Sequence, residues 1–519
     1  MNSLSKNKYK LNEINWKNSS LVFLLVICVS ALVVRFHYLP YNIPVTLDGF
    51  SGYFLYALDI SILGKLPEYT PNQSGWPELL SVFFTFFHSD NFLDYMNLQR
   101  TVSVVLSGIT VIPIYFICKK FFNSNYALIG SIIFAFDPRI IINSTLGITE
   151  PLYILAITLG ILFFLNSNKK IIYLAFAFFA WATIIRPEGQ FWFVAFTIAY
   201  FVRFRKNRQD SLKFLIALAI FLLVLTPIVY HRIQCCETDG IVGRMVEEIK
   251  NNISAPDEPK DQAEITAYGP NWINGIKLFG WSIIPIFVVL VPIGLILIFK
   301  QLKYPNYLLV LAPAVLAIPI MYSVSIAPDT RYVYPLFPIL CVISLFGISW
   351  IVEKFSNKKV ILSLIVISII FGSMTFLEIK KIDYSGESEV YQVAKFVAGN
   401  TSGVNSGAKV EKYLMVAEMA NRWPVTSTPG NLKETFEIKQ FPLGEVKTLE
   451  EFIAKYKEQK LTHIAVDQYS GSVLSEVYSH GEKFPYLEKI YESNEHGYKY
   501  NLKLYKINYD DFDKYNNSN

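Results

Sequence analysis

Residues 21–38, LVFLLVICVSALVVRFHY, form the first of the apolar stretches that decide the fold of this chain. The length of the run matches the roughly 20 residues that a helix needs to cross the hydrocarbon core of a bilayer. A basic N-terminal segment precedes the run, as in a secretory signal. However, the run is longer than the apolar core of a signal peptide, and no small-residue cleavage site follows it. It is therefore predicted to be a retained first membrane span.

Apolar runs of similar length recur as far as residue 377. The chain is 52% hydrophobic and only 17% charged, whereas a soluble domain carries about 25% charged residues. The sequence thus predicts a mainly α, polytopic transmembrane bundle. The first run and ten others give about eleven predicted spans: 21–38, 101–118, 126–142, 152–165, 171–185, 191–202, 212–230, 278–299, 307–326, 332–352 and 360–377.

Positive charges fall on alternate loops. The N-terminus and the loops at 119–120, 169–170, 203–208, 300–303 and 354–359 carry the Lys and Arg residues, and the positive-inside rule assigns them to the cytoplasm. Most of the acids fall in the opposite loops, 39–100, 137–150, 186–188, 231–277 and 327–331. An odd number of spans predicts a multi-pass cell-membrane protein with an extracytoplasmic C-terminal domain, and a miscount by one would reverse that side.

Residues 383–519 differ in character from residues 1–382, because they are charged and mixed in sequence. Residues 448–460 have helical spacing, and 463–467, 487–491 and 499–507 are β-rich runs, so a soluble α/β domain is predicted. This part contains no phosphate-binding glycine loop, no G-x-S-x-G and no H-E-x-x-H.

Composition also excludes some classes of partner. The net charge is +5, and no basic stripe interleaved with aromatics indicates nucleic-acid binding. Five cysteines are too scattered for a disulfide framework or a zinc site. Cys235 and Cys236 are adjacent, and the sequence leaves open whether they pair.

Asp48, in the stretch PVTLDGF at 44–50, is the first candidate for chemistry. Apolar neighbours would hold it at the membrane surface, where an ionisable group is costly and therefore suggests function. The alternative is a solvated turn residue. Residues 52–66 and 76–87 are apolar but short, and are predicted to be interfacial helices on either side of loop 67–75.

Other candidates lie in the later outer loops. Asp137 and Glu150 bracket one loop, and Glu150 is alternatively a helix-start residue before Pro151. Arg186 and Glu188 lie in a tight R-P-E-G hairpin, where they alternatively pair with each other.

Arg331 precedes a predicted span that contains two prolines, which would bend the helix and open space at its outer end. A guanidinium is a planar, always charged fork that suits phosphate. The alternative is interfacial snorkelling of Arg331 beside Tyr332.

Together these residues place acids and arginines at one membrane face. Such a set suits group transfer from a lipid-borne phosphate donor, in which arginine offsets the charge of the departing phosphate and a carboxylate takes the acceptor's proton.

The order of these features resembles the GT-C superfamily of integral membrane glycosyltransferases, in particular the protein mannosyltransferase and aminoarabinose transferase branch. The resemblance covers about residues 21–352. It is carried by L-D-G at 47–49, the interfacial segments, T-E-P-L at 149–152, R-P-E-G at 186–189, and Arg331-Tyr332 before the two prolines.

The resemblance implies transfer of a sugar from a polyprenyl- or dolichyl-phosphate donor to a lipid, glycan or protein acceptor on the extracytoplasmic face. It implies Asp48 as the base and Arg331 as the lipid-phosphate contact, with Arg186, Glu188 and Glu150 shaping the cavity. Family members often carry Asp-Glu in the first loop. Gly49 follows Asp48 here, which leaves a second carboxylate and a divalent-metal requirement open.

Three alternatives remain at this point. Oligosaccharyltransferases share the architecture, but the C-terminal region lacks their Trp-Trp-Asp-Tyr-Gly motif. A lipid-linked sugar flippase or transporter would more commonly show paired repeats and polar sites at the membrane midplane. A noncatalytic membrane scaffold is the third alternative.

Overall fold

The structure is a computed structural model of a mainly helical protein. It describes residues 19–204, 208–237, 239, 271–302, 305–326, 329–381, 383–427, 430–444, 446–471, 473–499 and 501–518. Several predicted features lie wholly or partly outside these ranges, namely the basic N-terminus, the loops 203–208, 231–277 and 300–303, and the start of loop 327–331.

The N-terminal part is built of helices that are joined by short loops. A π-helix, Asp48–Phe54, follows the first helix. The helices are α1 Ser19–His37, α2 Leu55–Leu63, α3 Gly75–Phe86, α4 Phe92–Ile109, α5 Val111–Cys118, α6 Ser124–Ala135, α7 Pro138–Ser144, α8 Glu150–Phe164, α9 Lys169–Ile185, α10 Gly189–Phe204, α11 Arg208–Leu212, α12 Phe214–Cys236, α13 Asn271–Ser282, α14 Phe287–Lys300, α15 Tyr307–Ile326, α16 Phe337–Glu353 and α17 Lys358–Ile379.

The mainly helical fold class is confirmed, but the predicted number of spans is wrong. Among the described residues, five helical segments are long and apolar enough to cross a membrane: Ser19–His37, Phe92–Cys118, Phe214–Cys236, Thr330–Glu353 and Lys358–Ile379. The number rises to seven if each of two bent helix pairs is one span. The extracytoplasmic position predicted for the C-terminal domain was based on an odd count of eleven spans, and this count no longer supports it.

The overcount has a physical cause. Helices α8, α9 and α10 contain 15, 17 and 16 residues, and a 15-residue helix is only about 23 Å long. The pair α6 and α7 bends by 53° where Pro138 starts the second helix, and the pair formed by α13 and α14 bends by 109°. Apolar composition alone does not reveal where a helix ends or bends. Each short helix and each bent pair was therefore predicted as one straight span.

Close helix contacts hold this bundle together. Helices α14 and α16 cross at two glycines: a side chain on Gly294 would collide with the backbone of Ile343, and one on Gly347 would lie 2.9 Å from Leu290 O. Small residues allow backbones to approach in this way, as is common between membrane helices. On the outside of the bundle, apolar side chains such as Leu223 and Phe371 remain largely exposed. Such a surface suits a lipid environment, and the chain is a membrane protein.

The C-terminal part contains a mixed five-stranded sheet flanked by helices, which confirms the predicted α/β character. The strand order is β2-β1-β3-β5-β4, with β1 parallel to β2 and β3, and β5 antiparallel to β3 and β4. Three of the strands were predicted, whereas β1 and β2 have only three residues each. The elements are α18 Ser385–Asn400, β1 Gly403–Asn405, α19 Leu414–Asn421, β2 Lys439–Phe441, α20 Leu449–Tyr456, β3 His463–Val466, α21 Val473–His480, β4 Leu487–Glu492, β5 Lys503–Ile507 and α22 Tyr509–Ser518.

Apolar contacts join the C-terminal part to the helical part. One continuous core of buried side chains includes both Val291 of α14 and Val393 of α18, while a second core fills the other side of the sheet. The division of the chain at residues 382 and 383 stays a prediction, because the first core extends across it.

Candidate functional site

Asp48 lies in the predicted outer loop 39–100, where it is the first residue of the π-helix. The Leu55 N–H donates to Phe50 O, five residues earlier, which is the wider hydrogen-bond pattern of a π-helix. The Asp48 side chain is 71% exposed. The next residue is tightly packed, since a Cβ on Gly49 would lie 3.2 Å from Val45 Cβ. A side chain at position 49 would therefore require Val45 and Thr46 to shift by a few tenths of an ångström.

Asp48 faces Arg331 across a short gap. Asp48 Oδ2 lies 3.8 Å from Arg331 Nη2. Arg331 is itself held by Asp329, whose Oδ2 accepts from Arg331 Nε at 2.5 Å and whose Oδ1 accepts from the Arg331 backbone N–H at 2.9 Å. Asp329 thus occupies the Nε edge of the guanidinium, and Nη2 lies on the side of Asp48.

Arg186 forms a second, more deeply buried cluster of charges. Its Nη1 donates to Glu150 Oε1 and to Thr149 Oγ1, and its Nη2 lies 3.3 Å from Glu188 Oε1. The guanidinium also lies over the ring of Tyr332, 5.3 Å from its centre. Burial lowers the pKa of Arg186, but the charges of Glu188 and Glu150 outweigh this effect and hold the pKa above its ordinary value.

The hairpin that carries Arg186 requires glycine at its end. A Cβ on Gly189 would collide with the backbone of Ala182 and Thr183, at the end of α9. The predicted pairing of Arg186 with Glu188 is present, and Glu150 adds a second partner from the start of α8. Glu150 thus contacts the Nη1 side of the Arg186 guanidinium.

The two arginines lie at the junction of a polar cavity and an apolar pocket. The cavity has a volume of about 310 Å³, and Asp48, Arg186 and Arg331 line it. The pocket shares Arg186, Arg331 and Tyr332 with the cavity, and is otherwise lined mainly by apolar and aromatic side chains that include Tyr153, Trp192, Leu316 and Pro335. The polar cavity is large enough for a ligand, whereas the apolar pocket encloses only about 20 Å³, so the two arginines separate a roomy polar space from a closely packed apolar surface.

Sequence reasoning missed several residues of the cavity. Its polar lining also includes Ser51, Tyr53, Asn72 and Gln73. The last two belong to the loop between α2 and α3, which the sequence marked only as a connection. In the sequence, Asn72 and Gln73 could have been recognised only as two adjacent polar residues between two apolar helices.

Sequence reasoning also missed the residues that hold the Asp48 loop. Arg100, which is buried in α4, donates from Nη1 to Ile43 O at 2.7 Å and from Nη2 to Pro44 O at 2.6 Å. Its neighbour Gln99 donates from Nε2 to Gly49 O at 3.1 Å and to Gly147 O at 2.6 Å. Adjacent side chains of one helix therefore fix the chain before and after Asp48.

Asp137 lies apart from this site. Its side chain is buried and caps α7, where Oδ1 accepts from the backbone N–H groups of Arg139 and Ile140 at 2.9 and 3.1 Å. It lines neither the polar cavity nor the apolar pocket. The structure thus brings together Asp48, Glu150, Arg186, Glu188 and Arg331 but not Asp137.

The described residues offer no evident metal centre. They contain no group of three His, Cys, Asp or Glu side chains arranged to hold an ion, and Asp48 lies in ion-pair range of Arg331. No step is therefore assigned to a metal. Cys235 and Cys236, whose pairing was left open, are both free thiols, with their sulfurs 2.7 Å apart.

Sequence comparison finds one family. Residues 92–231 match the model of the family described as dolichyl-phosphate-mannose-protein mannosyltransferase. This match covers α4 to α11, most of α12 and the Arg186 hairpin, but neither Asp48 nor Arg331. A comparison with curated proteins finds no match.

Structural comparison gives wider coverage. The Archaeoglobus fulgidus oligosaccharyltransferase superposes with a TM-score of 0.57 at 12% identity, over 88% of this chain and 71% of the other. The same archaeal enzyme, AglB, in complex with an inhibitory peptide and a dolichol-phosphate, gives a TM-score of 0.56 at 12% identity, over 87% and 70%. ArnT from Cupriavidus metallidurans, bound to undecaprenyl phosphate, gives 0.58 at 9% identity, over 93% and 98%.

At these identities the likeness shows the fold. The resemblance to GT-C enzymes that the motif order indicated is confirmed at that level. This chain has the fold of the GT-C membrane glycosyltransferases, and about a quarter of its sequence matches the protein mannosyltransferase family model.

Proposed function

We propose that this chain is a membrane glycosyltransferase that moves a sugar from a polyprenyl- or dolichyl-phosphate carrier to an acceptor. The observation that carries the proposal is the position of Asp48, Arg186 and Arg331 in one polar cavity that adjoins an apolar pocket. The related structures support the class of donor, because two of them contain dolichol-phosphate or undecaprenyl phosphate.

In this proposal the donor lies across the junction of the two spaces. Its phosphate contacts Arg331 and Arg186, its sugar occupies the polar cavity, and its isoprenoid chain leaves past the apolar side chains of the neighbouring pocket, which at about 20 Å³ would have to widen to admit it. Charge-assisted hydrogen bonds from a guanidinium are strong and match the geometry of phosphate oxygens. Arg331 would make these contacts while Asp329 holds its Nε edge in place.

The reaction breaks the bond between the anomeric carbon and the phosphate oxygen. A nucleophilic oxygen or nitrogen of the acceptor forms the new bond to that carbon, and its proton passes to the Asp48 carboxylate. The leaving polyprenyl phosphate keeps the bonding electron pair, and the two guanidiniums stabilise its charge. Asp48 suits the role of base because it is exposed to the cavity and only 3.8 Å from the phosphate-holding arginine.

The location of the reaction is part of the proposal. The basic residues that precede the first span favour a cytoplasmic N-terminus, and therefore an extracytoplasmic position for the Asp48 loop that follows this span. The C-terminal domain would lie on that face too, because it packs directly on the segment that follows Asp48. Trp423 Nε1 donates to Ser89 O at 3.1 Å, and the Leu432 N–H donates to Asp59 Oδ2 at 3.0 Å.

The test uses the full chain in proteoliposomes with radiolabelled polyprenyl-phosphate sugars and a panel of lipid, glycan and peptide acceptors. Asp48→Asn should reduce transfer by about 10² or more, since general base catalysis typically contributes about 10² to 10⁴. Asp510→Asn, the same change at an exposed C-terminal residue, serves as the matched control. Equal transfer by the Asp48 variant would remove Asp48 from the mechanism, and donor translocation without a covalent product would favour a flippase.

A further inference from the structure

Acids outnumber arginines around the polar cavity. Among the described residues, four carboxyl groups lie in ion-pair range of the two guanidiniums that line it. With all six groups ionised, the cluster carries an excess of two formal negative charges. An anion that enters the cavity therefore meets hydrogen-bond donors in surroundings of net negative charge. The arginines are Arg186 and Arg331, and the acids are Asp48, Glu150, Glu188 and Asp329.

Arg331 keeps hydrogen-bond donors for an anion in spite of these acids. Its Nε donates to Asp329, whereas its Nη2 lies 3.8 Å from Asp48 Oδ2, which is beyond hydrogen-bond distance. Within the described part of the chain, neither Nη group of Arg331 makes a hydrogen bond. The two Nη groups of a guanidinium can hold oxygens of one phosphate. Recognition of a phosphate by these donors is therefore compatible with a low tolerance for additional negative charge.

The two forms of the lipid carrier differ in charge. In the proposed reaction the donor is a phosphodiester with one negative charge, whereas the spent carrier is a phosphomonoester, whose second ionisation has a pKa of about 6. The spent carrier is therefore mostly a dianion at neutral pH. At Arg331 its second charge would lie close to the carboxylates of Asp48 and Asp329, and like charges at short distance repel each other.

The transferred proton determines when this repulsion acts. During transfer the leaving phosphate gains one negative charge, and Asp48 loses one because it takes the proton of the acceptor. The net charge of the cluster and its ligands does not change in this step. The Asp48 side chain is 71% exposed, so it can afterwards release the proton to water. Only after that release do a carboxylate and a dianion compete for the same guanidinium.

We propose that Asp48 and Asp329 make this site select a phosphodiester over a phosphomonoester, so that the donor is retained and the spent carrier is expelled once Asp48 has released its proton. This inference rests on the proposed function, because it places the donor phosphate at Arg331. Both acids are specificity-determining residues in this account, and their negative charge is a repulsive element directed against the product.

The test compares two ligands that carry no sugar. One is polyprenyl phosphate, and the other is its methyl ester, which has the same lipid but only one negative charge. Binding of each ligand to the purified full chain in non-ionic detergent is measured at equilibrium and at pH 8, where the monoester is a dianion. The parent should bind the methyl ester at least about threefold more tightly, because only the dianion brings a second charge to the excess of acids.

Asp48→Asn and Asp329→Asn each remove one negative charge at nearly constant size. Each should shift the ratio of the two affinities at least about threefold towards the monoester, since a lost carboxylate relieves a dianion of more repulsion than a monoanion. Asparagine caps a turn as aspartate does, so the Asp329 variant should keep its local fold. Asp510→Asn, the same change at an exposed residue of the C-terminal domain, is the matched control and should leave the ratio unchanged.

The outcomes separate the two proposals. If the parent binds both ligands equally or prefers the monoester, or if either variant leaves the ratio unchanged, the selection by charge is overturned while a lipid-phosphate site stands. An equal shift in the Asp510 variant would indicate an effect of total charge and would overturn the selection too. If the parent binds neither ligand, the proposed function fails, and the selection fails with it.

Discussion

At the scale of single residues, Arg331 carries two contacts that a lysine could not reproduce. Its Nε edge is fixed by Asp329 at 2.5 Å, and its Nη2 lies 3.8 Å from Asp48. A guanidinium can serve both because its donors lie in one rigid plane, whereas an ammonium is a single compact charge. In the proposed mechanism this fork also contacts the donor phosphate.

Arg331→Lys is therefore expected to lower kcat/KM about 10- to 100-fold, with part of the loss in KM, because the charge remains but the two-sided contact is lost. The measurement is initial-rate transfer at varied donor concentration. Arg422→Lys, at an exposed arginine of the C-terminal domain that pairs with the buried Glu418, provides a control that should leave kcat and KM unchanged. Unchanged kinetics in the Arg331 variant would place the phosphate elsewhere.

The residues of the site differ in how visible they are in the sequence. Asp48, Arg186 and Arg331 are charges beside apolar runs, and such charges stand out because membrane surroundings make them costly. Asn72 and Gln73 carry no charge, and Arg100 lies at the edge of the predicted span 101–118, where an arginine is expected to snorkel to the interface. The structural role of Arg100 depends on contacts with residues distant in sequence, such as the carbonyl of Ile43.

At the scale of elements, α4 acts as the support of the Asp48 loop. Arg100 binds the carbonyls of Ile43 and Pro44, and Gln99 binds the carbonyls of Gly49 and Gly147. One helix turn thereby links the start of the π-helix to the loop that leads to Glu150. Within the described residues no acid pairs with Arg100, so its charge is used for orientation of the backbone.

Arg100→Lys should lower kcat about tenfold or more while the dissociation constant of the donor stays nearly unchanged, because Arg100 positions Asp48 without touching the donor. Turnover and equilibrium binding of the same donor are measured side by side.

The matched control for this prediction is Arg203→Lys. Arg203 likewise donates to two backbone carbonyls, those of Phe164 and Asn166, at a distance from the cavity. Both variants should lose thermal stability, whereas only the Arg100 variant should lose turnover. An equal loss of turnover in the two variants would indicate that Arg100 has a purely structural role.

The elements also show why the helices were predicted better than the spans. Apolar periodicity and length locate helical segments, and every described predicted span is helical. Bends and short helices depend on the neighbours against which each segment packs, as at Pro138, where Asp137 caps a new helix. The three-residue strands β1 and β2 are similarly set by pairing with each other rather than by their own sequences.

At the scale of the whole molecule, the C-terminal domain rests on the elements that carry the site. The ring of Trp423 lies 4.9 Å from that of Tyr95 and 5.3 Å from that of Phe92, measured between centres. Phe436 similarly contacts Phe50 of the π-helix, at 6.2 Å. The domain and the Asp48 loop therefore share one side of the molecule, whatever the number of spans.

Trp423→Ala should weaken this contact by about 2 kcal/mol, since it removes a large aromatic side chain from a packed cluster. Hydrogen exchange measured by mass spectrometry should then rise in the π-helix and in the turn Leu432–Thr435, whose backbone binds Asp59. Tyr469→Ala, an exposed aromatic of the same domain, should leave exchange at both places unchanged. Unaltered protection in the Trp423 variant would contradict a coupled interface.

This aromatic interface has a practical consequence for any dissection of the chain. Cutting before α18 would leave Phe50, Phe92 and Tyr95 without their cover, and water would meet a cluster of rings directly beside the candidate base. Exposed apolar patches of this kind promote self-association. The smallest fragment suited to purification and assay therefore includes the terminal sheet, even though all the charged groups of the site come from the helical part.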